Sequence, residues 1–330
     1  MGTRHRIGPK LGAALLAGTA VLLTAAGPAA AAGLWGADYF PNVPLVTHEG
    51  RTVHLYDDLL KGKSVAINVF YTSCKDECPL ETARLVQVQR LLGGRVGRDV
   101  FFYSISIDPL RDTPEAMKAY AEKFGAGPGW LFLTGRPEDI RLVTRKLGLS
   151  RRNDPASKDG HAAVLMLGRE PDGQWMRTSA VDNPRFLVAT MASFFGWREL
   201  LPGTSYAEAR PLELKDAAYF FQVHCGACHT IGGGDRIGPD LAGVTARRDR
   251  RWLARYLAEP DRMLAEGDPI ATALFAKYKN VPMPNLGLTR EQIAALLAYL
   301  EAASRQAPPS REAPAGGTAS GAPAREPAAR

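Results

Sequence analysis

Cys225-Gly226-Ala227-Cys228-His229 is the stretch of this chain whose residue types and spacing could do the most chemistry. In Cys-x-x-Cys-His, the two thiols can reach both vinyl groups of one porphyrin, and the adjoining imidazole then lies under the iron. The plainer readings are a redox dithiol, or half of a zinc site that happens to precede a histidine. A zinc site needs further soft ligands nearby, and the only other cysteines, Cys74 and Cys78, lie far upstream. The motif therefore points to one covalent haem c, bonded through Cys225 and Cys228 with His229 as proximal ligand. It also points to export, because such haem is attached outside the cytoplasm.

The second constellation is Phe70-Tyr71-Thr72-Ser73-Cys74-Lys75-Asp76-Glu77-Cys78-Pro79. If Cys78 opens a helix, Cys74 sits about one turn before it and the sulfurs meet. A helix N-terminus favours thiolate and lowers its pKa. Paired thiolates suit copper(I) or zinc, or they close to a disulfide. A structural disulfide is a serious competitor in an exported protein, although a bridge across so short a loop stabilises little. His161, at the edge of an apolar strand, is on chemistry alone an ordinary histidine; the dithiol's need for a third donor raises its standing. His48 and His54 flank a turn and are expected to face solvent. Asp108, Arg111 and Asp112 read as helix-capping and loop-stabilising residues.

The elements that must position these groups alternate. A hairpin turning at Glu49-Gly50 precedes the buried strand SVAINVFY. The helical segment PLETARLVQVQRLL follows, with Leu80, Leu85, Val88 and Leu91 on one face. DVFFYSISI is another buried strand, and Thr113 caps a helix whose first residue is Pro114. WLFLTG, DIRLVTRKL, HAAVLMLG and PRFLVATMASFF continue the strand–helix order, which argues for an α/β sheet covered on both faces. Pro202-Gly203 and Pro211 punctuate a linker. Beyond it, a helix leads into the haem motif, another lies around residues 251–257, and the last is capped by Thr289 with Gln292 as a capping box, carrying Ile293, Leu296, Leu297 and Leu300.

The ends read differently. Arg4, Arg6 and Lys10 precede an apolar run over residues 11–27 and the small residues Ala30-Ala31-Ala32, a secretory signal over 1–32. An uncleaved membrane anchor is the competing reading; with cleavage, the mature chain has no membrane span. The formal charge of +7 is concentrated in this segment and in the Pro/Ala/Gly-rich tail, 304–330, which reads as disordered. The remainder has no basic stripe for nucleic acid, no phosphate-binding glycine loop and no Ser/His/Asp triad, which removes nucleotide and hydrolase readings.

The motifs FYTSCKDECP, SISIDPLRDTPE and NDPASKDGHAAVLML, in that order, resemble the Sco/SenC family of thioredoxin-like copper proteins over residues 37–198. The resemblance implies one copper ion, cycling between Cu(I) and Cu(II), on Cys74, Cys78 and His161. The family's usual Asp before that histidine is Gly160 here, and a usual Gly is Phe70. Residues 212–303 are similar to a class I cytochrome c. That resemblance implies Met283, between two prolines, as sixth iron ligand, with Met263 as its competitor, and Pro239 as the carbonyl that orients His229. Where such cytochromes often have Gly in the first helix, this chain has Ala217. The expected architecture is an α/β thioredoxin-like domain, a linker over 199–211 and an all-α cytochrome c domain.

The resulting expectation is a periplasmic metallochaperone and electron carrier rather than an enzyme. It would deliver copper to, or keep reduced, the CuA-bearing subunit of a cytochrome oxidase or similar copper enzyme, exchanging electrons with respiratory proteins. The alternative is a thiol-disulfide oxidoreductase in which Cys74 and Cys78 are catalytic without metal. A less favoured reading is a pure electron-transfer protein whose first domain is structural.

Overall fold

In the computed structural model, Gly2 and residues 35–75, 77–150, 163–201 and 217–306 are described. The expected signal, His161, most of the linker and nearly all of the tail lie outside the described residues.

The chain first forms the hairpin β1 (Pro44–Thr47) and β2 (Thr52–His54), turning where expected with Gly50 at φ 79°. A tight turn at positive φ costs glycine no Cβ clash. Strands β3 (Ser64–Phe70), β4 (Phe101–Ser106) and β5 (Trp130–Thr134) run parallel at the centre. β6 (Val164–Arg169) and β7 (Gln174–Ser179) complete a seven-stranded sheet in the order β2-β1-β5-β4-β3-β6-β7. β7, which is polar and half-buried, carries no apolar alternation strong enough to announce it in the sequence.

Period-two alternation assigns the two faces. Along β3, Ala66 and Phe70 belong to one apolar core, while Val65, Ile67 and Val69 belong to the other. The first core is roofed by α1 (Glu77–Leu92), α2 (Pro114–Phe124) and α4 (Pro184–Phe195), and the second holds Ile140 and Val143 of α3 (Pro137–Lys146). The α2 cap forms as read: the Thr113 side chain accepts from Ala116 N, and Gly125 closes the helix at φ 75°. The sheet is therefore covered on both faces, in a thioredoxin-like arrangement.

α1 departs from its expected pattern. Leu80, Leu85 and Val88 are buried, but Leu91 is exposed and Leu92 takes the core position. Two polar side chains of the helix are also buried: Glu81 faces the sheet, where it meets Asn68, and Arg84 is covered where the C-terminal region packs on the helix. His48 is likewise not a free surface residue. Its Nδ1 accepts from Phe132 N at 3.2 Å and its ring lies against Phe132, and burial lowers its pKa. His54 is exposed as expected.

The C-terminal region is helical: α5 (Ala217–Phe220), which widens into a π turn over Phe221–Cys225, then α6 (Val244–Arg247), α7 (Arg250–Ala258), α8 (Pro260–Ala265), α9 (Pro269–Lys277) and α10 (Arg290–Gln306). The capping box forms: Thr289 N donates to Gln292 Oε1 at 2.8 Å, and Gln292 N donates to Thr289 Oγ1 at 3.3 Å. Ile293, Leu296, Leu297 and Leu300 are all buried, and Phe221 stacks near Tyr299 of α10. Ala217 is partly buried and α5 still packs on α10, so the methyl group is accommodated.

β3 and β4 are parallel neighbours, so the loops after them emerge side by side at their C-terminal edge, the usual location of sites in open α/β sheets. Asp112, fully buried, fastens the two loops. It accepts from Thr72 N at 3.2 Å, Thr72 Oγ1 at 2.5 Å and Ser106 Oγ at 2.5 Å. Asp112→Ala should cost about 2–3 kcal/mol, because it strands buried donors. Chemical denaturation checks this, and a loss below about 0.5 kcal/mol would show that the loops hold without it.

Candidate metal and haem centres

Cys74 and Cys78 meet at the β3–α1 junction. Cys78 is the second residue of α1 and fully buried, Cys74 is 5% exposed, and both are reduced rather than joined in a disulfide. The two side chains hydrogen-bond to one another. That bond, followed by burial, raises the Cys78 pKa well above that of an ordinary thiol. The helix N-terminus therefore does not leave a standing thiolate in the metal-free protein, as the sequence had led us to expect. A soft cation, if bound there, would have to displace these protons.

The surroundings are polar and largely buried. Tyr120 Oη lies 2.9 Å from Thr82 Oγ1 and donates to Cys78 O at 3.3 Å. One turn beyond Cys78, Glu81 accepts from Asn68 Nδ2 at 3.2 Å. Asn68 Oδ1 accepts from Ser104 Oγ at 2.7 Å, and Ser104 Oγ accepts from Trp130 Nε1 at 2.9 Å. Burial raises the Glu81 carboxyl well above its usual range. Phe70, in place of the usual glycine, packs on Tyr120 and Phe132 with ring centroids 5.3 and 5.1 Å away. His161 lies outside the described residues, and among those described no cluster of three or more His, Cys, Asp or Glu forms. Asp108 pairs with Arg111 at 3.0 Å, a loop-stabilising contact as read.

Cys225, Cys228, His229 and Met283 all line one apolar cavity of about 1220 Å³, including its mouth, walled by Phe221, Leu253, Leu257 and Leu296 among others. His229 Nδ1 is 2.9 Å from Pro239 O. A carbonyl only accepts, so Nδ1 carries the proton and Nε2 is left with a lone pair for iron. Gly238 makes room for this ring, since a Cβ there would fall 2.6 Å from His229 Cε1. Met263 is buried in α8 and absent from the cavity lining, and His224 stacks on Phe220 instead. Two thiols, a committed imidazole, a thioether and an apolar slot together fit a c-type haem.

Sequence reading missed the residues that join the two regions. Arg84 of α1, 1% exposed, donates through Nη2 to Val223 O and, at 3.2 Å, to Gln222 O. Its Nη1 holds Gln87 Oε1 at 2.7 Å, and Gln87 Nε2 donates to Gly226 O at 2.7 Å. Burial lowers the Arg84 pKa to about 10. Ala227, inside the haem motif, is buried in the same apolar core as Cys74 and Cys78. A charged side chain in the middle of a predicted amphipathic helix was the one available signal.

Residues 37–194 match the SCO1/SenC family model, and residues 214–304 match the cytochrome c family model. The chain joins a SCO1/SenC domain to a cytochrome c domain. The SCO1/SenC domain is similar to Protein sco1 of Schizosaccharomyces pombe (30% identity over 138 residues, 40% of this chain and 51% of that one). It is also similar to the mitochondrial SCO2 homolog of Bos taurus (35% over 135 residues, 39% and 49%). The chain thus spans about half the length of the curated relatives it matches. Among solved structures, copper-bound ScoI of Bradyrhizobium japonicum is 30% identical, with TM-score 0.38, covering 46% of this chain and 96% of that one.

Gly238→Ala should push the His229 ring off its seat. The haem-loaded variant should lose the low-spin spectrum, or fail to retain haem, while the SCO1/SenC domain stays folded. An unchanged low-spin spectrum would show that this contact does not set the imidazole.

Proposed function

We propose that this protein is an exported copper-handling protein, periplasmic and free or tethered according to the fate of its leader. Its SCO1/SenC domain takes one copper ion as cargo on Cys74, Cys78 and His161. It hands the ion to the CuA-bearing subunit of a cytochrome oxidase or a similar copper enzyme. Its cytochrome c domain holds one covalent haem through Cys225 and Cys228, with His229 and Met283 as axial ligands, and exchanges electrons with respiratory proteins. The observation that carries the reading is the buried pair of reduced, hydrogen-bonded thiols at the C-terminal edge of a SCO1/SenC sheet. Two thiolates and one imidazole make a soft three-coordinate set suited to copper(I). His/Met ligation supplies a haem of raised potential, suited to one-electron transfer.

The same contact between Cys74 and Cys78 favours a second reading, a thiol-disulfide oxidoreductase that works on the cysteines of the copper acceptor. Anaerobic copper(I) titration of the haem-loaded protein separates the two. Copper delivery predicts one ion per chain with two thiols consumed; Cys74→Ser and Cys78→Ser each abolish tight binding, and His161→Ala weakens it by at least about 10- to 100-fold, the loss that follows removal of even an outer partner of a metal ligand. Unaltered affinity in His161→Ala removes the three-ligand site. Absence of binding alongside a facile dithiol/disulfide couple supports the reductase.

On the haem side, Met283→Ala should abolish the weak red absorption band that reports sulfur–iron bonding in the oxidised protein, and Met263→Ala should leave it. The reverse result reassigns the axial ligand.

A further inference from the structure

Cys74 of the thiol pair and Met283 of the haem cavity open onto one shared cleft of about 1230 Å³. Tyr120 and Lys123 of α2 line it from the SCO1/SenC side, and Val281 and Pro282 line it from the cytochrome side. Lys123 Nζ reaches Asn280 O at 3.5 Å across this cleft. Behind the cleft, α1 links the same two sites through the solid part of the molecule. Cys78 lies near its start, and Arg84, about 9 Å farther along the axis, grips the carbonyls of Gln222 and Val223 just before Cys225. Gln87 adds the bond to Gly226 O within the haem motif. One helix thus begins at one redox centre and is clasped to the attachment segment of the other.

We propose that Arg84 is a positioning residue: it locks the thiol site and the haem-attachment segment in one register, so that an electron passes between copper on Cys74/Cys78 and haem in the cytochrome domain within a single chain. This rests on the copper and haem reading above. The step balances with one electron. Ferrous haem becomes ferric, copper(II) arriving at the thiol site becomes copper(I), and the two thiol protons leave to solvent as the sulfurs bind metal. The haem is reset by a one-electron donor of the respiratory type. A dithiol alone delivers electrons in pairs at the cost of its own ligands, which is why a one-electron partner held in fixed register serves this site. A tether alone gives an effective concentration of about millimolar, whereas a buried clasp holds a single geometry and also shields both centres.

The test uses the full haem-loaded chain. Ferrous protein is mixed with one equivalent of copper(II), and haem oxidation is followed by stopped flow as protein concentration is varied. We expect a first-order rate independent of concentration, lost when Cys74 and Cys78 are both Ser. Arg84→Met should slow that phase about tenfold or more, since only the tether remains. Copper(I) stoichiometry and the red haem band should persist, and Arg84→Lys should restore part of the rate. If Arg84→Met does not fold, Gln87→Ala decides, with a smaller slowing expected in the same direction. A wild-type rate in the folded variant, or a rate proportional to protein concentration, overturns the proposal while leaving copper delivery intact. If the wild type binds no copper, the underlying reading fails and this inference falls with it.

Discussion

A guanidinium that has left water must find acceptors, and Arg84 finds them on another domain. Its carbonyl partners, Val223 and Gln222, lie where α5 widens into a π turn before the haem motif. Burying an unpaired charge costs several kcal/mol, so once Arg84 is enclosed, the carbonyls that receive it cannot drift away without exposing that cost. The lowered pKa of Arg84 records the loss of solvent. Its Nε has no hydrogen-bond partner among the described residues, so the two Nη atoms carry the clasp. Ala227 then completes a core shared by both domains. With α1 packed on two sides, the thiol pair at its start is buried and the haem motif is fixed against the same helix.

The chemistry of each centre follows from what encloses it. At the thiol pair, the mutual hydrogen bond and burial favour the protonated sulfur of Cys78. Asp112 holds the approach loop by accepting from both Thr72 and Ser106. At the haem cavity, Pro239 O fixes the imidazole tautomer, and the glycine at 238 lets the ring approach its backbone. Asp240, immediately after, accepts from Gly232 N, Gly234 N and Ala242 N, which pins the loop that carries this carbonyl.

What the sequence disclosed was local. The Cys-x-x-x-Cys turn, the Thr113–Pro114 cap, the Thr289–Gln292 capping box and the apolar face of α10 depend on neighbours a few residues away, and spacing shows them directly. The thioredoxin-like sheet followed by a helical cytochrome domain was legible from the strand–helix order and the motifs. The β7 strand was not, because a half-buried edge strand of Gln, Met, Arg and Thr has no alternation to read. Leu91 and Leu92 exchanged roles because the helix is packed on two sides, not one. Arg84 showed only as a charge within an amphipathic helix, for the same reason: a partner far along the chain turns a surface charge into a buried one, and no periodicity encodes that partner. His161 was named from resemblance and lies outside the described residues.

The central claim is that haem and thiol site act together on one copper ion. The most direct measurement is an anaerobic endpoint on the ferrous, fully reduced chain given one equivalent of copper(II). The copper valence, the haem spectrum and, after copper is removed, the alkylatable thiols are then read together. The account predicts copper(I), ferric haem and both Cys74 and Cys78 still alkylatable. Haem that stays ferrous, while up to half of the chains lose the thiol pair to a disulfide, would contradict it, because the electrons would then have come from the cysteines alone.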